Sequence, residues 1–164
     1  MHRAMALRQA FDASFAELPT AAREPQDDFV VLGMGEARCA VAMRQLGGLH
    51  ADLEILSCPS EHPEFLGLAV LRGLLLPVYD LALLISEPHG ISPRWFALNP
   101  SRDFAVAVER METSFRARAV ARGDTATGRV LTHAGQVIRL VDLLSLETQL
   151  RQRANEFHST MERL

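Results

Sequence analysis

The chain has 164 residues, 48% of them hydrophobic, and a net charge of −3; these values are typical of one globular domain or of two small subdomains that share a core. The negative charge provides no overall basic field for a nucleic-acid backbone. All 17 basic residues are arginine, and the absence of lysine excludes Schiff-base catalysis and a phosphate-loop lysine.

The N-terminus and the cysteines predict a cytoplasmic protein. No apolar run approaches the roughly 20 residues that span a bilayer, and the first residues lack the apolar core and cleavage site of a signal peptide. Two cysteines, Cys39 and Cys58, are too few for a disulfide framework. We therefore expect reduced thiols and a cytoplasmic location.

Residues 1–28 are predicted to form an amphipathic helix followed by a linker. An apolar stripe at helical spacing defines the helix over residues 3–18. The stripe consists of Leu7, Phe11, Phe15 and Leu18. Pro19 ends the helix, and residues 20–28 form a polar, proline-bearing connection.

From Phe29 onwards the apolar residues follow the spacing of β-strands. Short β-branched and aromatic runs predict four hairpins and two single strands, the latter over residues 53–59 and 114–120. The hairpin turns are predicted at Gly35-Glu36, at Arg72-Gly73, at the Pro-Ser-Arg turn of residues 100–102 and at Ala134-Gly135.

The two halves of this β region follow the same order. VLGMGEARCAVA at 31–42 is similar to ALNPSRDFAVAV at 97–108, and VYDLALL at 78–84 to LVDLLSL at 140–146. Each half reads as hairpin, strand, hairpin and a helix whose first N–H groups an aspartate can cap, Asp80 or Asp142. Five short strands in each half suit a small barrel. We therefore expect a mainly β protein with two five-stranded barrels, roughly at residues 29–90 and 91–142.

Residues 143–164 predict a second amphipathic helix. Its apolar stripe consists of Leu143, Leu146, Leu150, Ala154, Phe157, Met161 and Leu164. Two interpretations remain open at this point. The helices at the two ends either pack on their own barrels or drive homo-oligomerisation.

Candidate catalytic and metal-binding residues are scarce. Cys58, His62 and His50 could approach one another, but no paired ligand motif accompanies them, so we predict neither a metal nor a cofactor. Cys39 alternates with Val41 and Met43 on one strand face and is predicted to be core. A small hydrolase that uses Cys58 or Cys39 is the remaining enzymatic alternative.

Asp80 and Asp142 could also be interpreted as a catalytic carboxylate pair. Each precedes a short apolar run that is typical of a helix, where an aspartate caps the first N–H groups. We therefore predict that both are structural caps rather than a catalytic pair.

The segment LRGLLLPVYDL, residues 71–81, places an arginine inside the most hydrophobic part of the chain. Gly73 suits a hairpin turn that needs a positive φ. Pro77 cannot donate to a β-ladder, so its strand should be at an edge or bulged there. Arg72 is either a solvated turn residue or an interface anchor with a planar five-donor fork.

The longer segment FLGLAVLRGLLLPVYDL, residues 65–81, resembles the hallmark of the CheW-like family of chemotaxis adaptors, G-x-x-N-L-R-G-x-x-x-P-V-x-D-L. The resemblance extends over about residues 29–150, from the opening strand FVVLGM to the closing GQVIRLVDLLSL. The positions that match the hallmark in register are Gly67, Leu71, Arg72, Gly73, Pro77, Val78, Asp80 and Leu81.

This resemblance implies a fold of two five-stranded SH3-like barrels and no catalytic site. It implies a cytoplasmic scaffold that couples methyl-accepting chemoreceptors to a CheA-type histidine kinase, docking on the kinase's own CheW-like domain and on the receptor tip. The implied partner-binding residues are Val70, Leu71, Arg72, Gly73 and Gly48.

Three positions depart from the family pattern. Val70 replaces the asparagine before Leu-Arg-Gly, Gly48 stands where the family has a glutamate, and Glu109 replaces an aspartate. In its expected N-terminal helix the chain resembles adaptors of type IV pilus pathways more than the flagellar adaptor. The alternative is an orphan, self-associating CheW-like module without kinase coupling.

Overall fold

The computed structural model of the chain describes residues 26–88, 92–117 and 130–161, with side chains through Arg153. The helix predicted over residues 3–18 and most of the predicted linker lie outside this part. The described elements are β1 (Asp27–Met34), β2 (Ala37–Ala42), a 3-10 turn (Met43–Gln45), β3 (Gly48–Ala51), β4 (Ile55–Leu56), β5 (Phe65–Leu71), β6 (Leu74–Asp80), α1 (Leu81–Leu84), β7 (Trp95–Leu98), β8 (Ala105–Val108), β9 (Arg110–Ala117), β10 (Val130–His133), β11 (Gln136–Val141) and α2 (Leu143–Met161).

The four predicted hairpins are confirmed. Strands β1 and β2, β5 and β6, β7 and β8, and β10 and β11 pair antiparallel. Each turn lies where glycine or polar residues interrupt the apolar runs, because such residues tolerate turn conformations and the flanking β-branched residues favour strands.

The strands between the hairpins differ from the prediction. The strand expected over residues 53–59 is only Ile55–Leu56, since Pro59 follows and cannot donate to a ladder. Strand β3 was not predicted, because its low-propensity start at Gly48 is stabilised by pairing with β7. Strand β9 begins at Arg110 rather than residue 114, and β1 begins at Asp27, inside the expected linker.

The strands form two sheets that do not follow the expected division at residue 90. The first sheet has the order β10-β11-β2-β1-β9, and the second has the order β3-β7-β8-β6-β5-β4. Each sheet therefore combines the first hairpin of one half with the second hairpin of the other. The predicted ranges 29–90 and 91–142 are wrong as barrel boundaries, because hydrophobic spacing along a strand does not identify the partner strand.

Two parallel pairings join the halves within the sheets. Strand β2 runs parallel to β11, and β8 runs parallel to β6. In the first sheet the end strands also meet, since the Phe115 ring of β9 stacks on the His133 ring of β10 with centroids 3.9 Å apart. This contact brings the open ends of the sheet together, as in a barrel.

Three buried clusters, one inside each sheet and one between the sheets, explain why these strands are apolar on both faces. Along β1, Phe29 and Val31 face a cluster inside the first sheet, while Val30 and Leu32 face a larger cluster between the sheets. Cys39 lies fully buried in this central cluster, as predicted. Met43 does not share that face, because the chain leaves the strand at Ala42 and Met43 is exposed in the 3-10 turn.

The C-terminal helix α2 begins by packing on its own chain. Leu143 and Leu146 are buried in the central cluster, and Leu150 packs against it. Glu147 accepts a hydrogen bond from the buried Asn99 amide at 2.9 Å, and Arg151 pairs with Asp103 and Glu147. As far as its side chains are described, the apolar stripe of α2 therefore packs against the protein's own core.

Candidate docking site at the β5–β6 hairpin

The turn of the β5–β6 hairpin holds an arginine in a left-handed conformation. Arg72 has φ 50° and Gly73 has φ 81°, and the flanking residues Leu71 and Leu74 pair across the strands. A two-residue loop with positive φ at both positions is the type I′ turn, whose twist matches that of a hairpin. The first position is unfavourable for a residue that carries a Cβ atom.

The same turn occurs a second time with an alanine in place of the arginine. In the β10–β11 hairpin Ala134 has φ 50° and Gly135 has φ 77°. This hairpin is the structural repeat of β5–β6, since each leads through its second strand into an aspartate-capped helix. The backbone therefore does not require the guanidinium of Arg72, which is left for another role.

The outer face of the hairpin carries exposed apolar side chains, which we call the outer patch. Val70 and Leu75 lie opposite each other across the strands and are 67% and 60% exposed. Leu56 of β4, 68% exposed, pairs with Leu68 and extends the same face. Contiguous apolar surface of this kind marks docking sites on soluble proteins.

The predicted docking residues divide between two faces of the hairpin. Val70 is exposed on the outer face, whereas Leu71 points the other way, is half-buried and packs against the cluster inside the second sheet. Arg72 is exposed in the turn between the strands. Gly73 is exposed in the turn. Leu56 and Leu75 were not predicted as docking residues. For Leu75 the sequence did carry a signal, because successive residues of a strand point to opposite faces and its neighbour Leu76 is apolar enough for the core.

Pro77 lies in an internal strand, not at an edge. Strand β6 has β5 on one side and β8 on the other. The ladder with β8 begins only at Val78, so Pro77 needs no N–H on that side. The irregularity in the β5–β6 pairing lies between Phe65 and Gly67, so the predicted bulge is displaced from Pro77.

Gly67 is required by its surroundings. Its φ is 137°, and a Cβ atom there would overlap the carbonyl oxygen of Leu56. Glycine alone adopts this conformation readily and allows the backbones to approach. This hallmark position therefore holds β4 against β5 beneath the outer patch.

Both predicted aspartate caps are confirmed. One carboxylate oxygen of Asp80 accepts hydrogen bonds from the N–H groups of Ala82 and Leu83, at 2.8 and 3.3 Å. Asp142 accepts from the N–H groups of Leu144 and Ser145, at 3.0 and 3.3 Å. Each carboxylate thus satisfies donors that a helix leaves unpaired at its first turn.

Gly48 and Arg72, predicted as partner-binding residues, line one groove beside the hairpin turn. The groove has a volume of about 250 Å³ and apolar walls that include Leu71, Leu74 and Leu98. Arg102 lines it as well, and its Nε donates to the carbonyl oxygen of Gly47 at 2.9 Å. Sequence reasoning did not predict Arg102, because three separate segments meet only in the fold.

The candidate chemical residues do not form a metal centre in the described part of the chain. No group of three or more His, Cys, Asp or Glu side chains there could hold a metal ion. Burial raises the pKa of the Cys39 thiol to about 12, so it stays protonated near neutral pH. The Cys58 thiol donates to the Leu56 carbonyl oxygen at 3.4 Å.

Glu109, a departure from the family pattern, has a structural role. Its carboxylate accepts a hydrogen bond from the Gly35 N–H at 2.6 Å, which fixes the β1–β2 turn. Its own N–H donates to the carbonyl oxygen of Gly33 at 3.1 Å. The residue joins the two hairpins and does not face the groove.

Comparisons with known proteins identify the fold. No protein-family model matches the chain, and no curated protein matches it in sequence. Among solved structures it is similar to the scaffolding protein TtCheW from Thermoanaerobacter tengcongensis, with a TM-score of 0.59 and 17% identity. The similarity covers 72% of this chain and 90% of TtCheW. The chain therefore has the mainly β, two-barrel CheW-like fold. No helix in the described ranges is long and apolar enough to cross a membrane.

Proposed function

We propose that the protein is a non-catalytic adaptor that couples methyl-accepting chemoreceptors to a CheA-type histidine kinase. The observation that carries the proposal is the hallmark hairpin, which presents Arg72 and the outer patch at the surface of a CheW-like fold. The pathway is a chemotaxis-type two-component system in the cytoplasm, flagellar or driven by type IV pili.

The kinase's CheW-like domain is the partner proposed for the outer patch. Val70, Leu75 and Leu56 supply apolar area, and burying such area is the main favourable term in association. Arg72 lies in the turn at the end of this hairpin, where a charged residue favours correct partners over wrong ones. The receptor's cytoplasmic tip is the second partner, so that the protein bridges the two.

The proposal of a scaffold without catalysis or cofactor agrees with how the candidate chemical groups are used. Asp80 and Asp142 accept backbone hydrogen bonds at helix starts. Cys39 is buried in the central cluster with a raised pKa. Groups held in this way are structural, since a nucleophile or general base needs access to a substrate.

The experiment that tests the proposal is reconstitution of the kinase with its receptor and ATP. We expect receptor-dependent autophosphorylation of the kinase to require this protein and to saturate as its concentration rises. If kinase activity is the same in the presence and in the absence of this protein, with the kinase and this protein both folded, the proposal is overturned and the orphan self-associating module is favoured.

A further inference from the structure

We infer that the groove between β3 and the β5–β6 turn captures a carboxylate side chain of the docked partner, together with an adjoining apolar side chain, between Arg72 and Arg102. The inference rests on the proposed function, because it takes the kinase's CheW-like domain as the partner. It adds the chemistry of that contact.

Among the described residues, the two arginines that pair with no carboxylate both lie at the groove. Every other described arginine forms an ion pair with an aspartate or glutamate of the chain, whereas Arg72 and Arg102 do not, and both line this groove. The pairs are Arg38–Glu112, Arg44–Asp27, Arg94–Asp52, Arg110–Glu109, Arg116–Asp28, Arg139–Glu87, Arg151–Glu147 and Arg153–Glu64.

No acidic residue is among the described residues that line the groove, and His50 adds a third nitrogen-bearing side chain. The charge of the lining is therefore positive and uncompensated. A docked carboxylate would gain charge-assisted hydrogen bonds there, and these bonds are stronger than neutral ones. The desolvated setting of an interface strengthens the attraction further.

The backbone orients one of the two guanidinium groups. The Nε of Arg102 is bound to the Gly47 carbonyl oxygen at 2.9 Å, which leaves its terminal N–H groups for an acceptor. Gly48 puts no side chain into the space, where only the His50 ring would lie within 4 Å of an added Cβ atom. At Gly48 the groove is therefore open to a side chain from outside.

The size and walls of the groove specify what accompanies the carboxylate. Leu71, Leu74 and Leu76 supply apolar surface, and Leu74 is exposed in the described chain. The volume of about 250 Å³ lies below the ~300–1,000 Å³ typical of small-molecule sites. It suits one or two side chains of a polypeptide, such as a glutamate beside a leucine or a phenylalanine.

The absence of lysine in the chain allows a sharp test. The variant Arg72→Lys has a single side-chain amine. A carbodiimide activates a carboxylate in contact with this amine, the two form an amide, and the carbodiimide takes up the water as a urea. The variant is mixed with the purified CheW-like domain of the kinase, treated with carbodiimide, and the joined peptides are located by mass spectrometry. Arg102→Lys tests the other side of the groove in the same way.

The matched control is Arg94→Lys, an exposed arginine beyond the far end of β3 that pairs with Asp52. The wild-type chain gives the background from the kinase domain's own lysines. We expect residue 72 or residue 102, but not residue 94, to be joined to one aspartate or glutamate of the kinase domain.

Two results would overturn the inference, and they are distinguishable. If the kinase domain binds but the two lysines join none of its carboxylates, or join only acidic residues of their own chain, the groove does not capture a partner carboxylate and the proposed function stands. If the kinase domain does not bind the wild-type chain at all, the proposed function and this inference fail together.

Discussion

Arg72 and Ala134 occupy the same left-handed position, φ 50°, in two hairpins that repeat each other within one chain. Since alanine serves at one position, the turn itself does not explain the arginine at the other. The pair separates the contribution of the backbone from that of the side chain, and it provides a built-in control for mutational tests.

Charge reversal at Arg72 should abolish receptor-dependent kinase activation. The variant Arg72→Glu removes the free guanidinium and places a like charge opposite any acidic partner group. Because residue 72 is exposed, the free energy of unfolding should change by less than about 0.5 kcal/mol. The measurements are kinase autophosphorylation with receptor and urea denaturation. The control Ala134→Glu should signal normally, and normal signalling by Arg72→Glu would make Arg72 only a turn residue.

A charge in the outer patch should weaken binding of the kinase's CheW-like domain. In Leu75→Glu, a side chain 60% exposed in the free protein carries a charge into a desolvated contact, and we expect affinity to fall by at least about tenfold. Binding is measured by calorimetry. Val137→Glu, at a site 70% exposed on the repeated hairpin, should bind like the wild type. Equal losses in the two variants would contradict a localised patch.

Replacing Gly67 should destabilise the fold. Alanine there combines a φ of 137° with overlap of the Leu56 carbonyl oxygen, so we expect Gly67→Ala to lower the free energy of unfolding by about 2–4 kcal/mol. Gly73→Asn is the control, because asparagine tolerates the left-handed turn and nothing lies within 4 Å of the added Cβ atom. Chemical denaturation compares the two, and equal midpoints would show that strand β4 can move away.

The first turns of the C-terminal helix should stabilise the fold of their own chain rather than hold two chains together. Leu146→Ala removes a buried side chain from the central cluster and should cost about 2–3 kcal/mol of unfolding free energy. A chain that ends after residue 150 keeps this contact and should stay folded. Sedimentation reports the oligomeric state of the two variants, and urea denaturation reports their stability. Loss of an oligomer with folding retained would instead assign self-association to the end of the helix.

The two cysteines should differ in reactivity with a thiol reagent. Cys39 is buried with its pKa raised to about 12, whereas Cys58 is half-buried. At mildly alkaline pH the native protein should therefore react at Cys58, and the variant Cys58→Ser should not react until it is unfolded. Rapid labelling of native Cys58→Ser would contradict the placement of Cys39.

Burial of Cys39 also gives a pH dependence with a definite sign. Because the folded pKa is raised, the unfolded chain releases the thiol proton first. The contribution to stability is complete below about pH 9 and declines as the pH rises towards about 12. Urea denaturation across this range, with Cys39→Ala for comparison, measures the effect, and a steeper decline in the variant would contradict it.

The hairpins and helix caps could be predicted from the sequence because their signals are local. Arg72-Gly73 and Ala134-Gly135 mark turns by their conformational needs, and Asp80 and Asp142 precede the donors that they satisfy. The resemblance of residues 65–81 to the CheW-like hallmark provided the fold class, and the similarity to TtCheW confirms that fold.

The exchange of hairpins between the sheets could not be predicted in the same way. Strands such as β1 are buried on both faces, so their pattern does not identify the neighbouring strand. The groove could not be predicted from the sequence for a related reason. Gly48, Arg72 and Arg102 come from three distant segments, and Arg102 looked like an ordinary turn residue until the fold placed it beside β3.

The most direct test of the central claim is a calorimetric titration of the full chain with the CheW-like domain of each histidine kinase encoded nearby. An adaptor should bind one of these domains saturably with a Kd of about micromolar order, as transient signalling contacts do. The kinase that binds would also identify the pathway. Absence of heat with every domain, from a sample whose β-rich fold is intact, would contradict kinase coupling and leave a CheW-like fold that serves another partner.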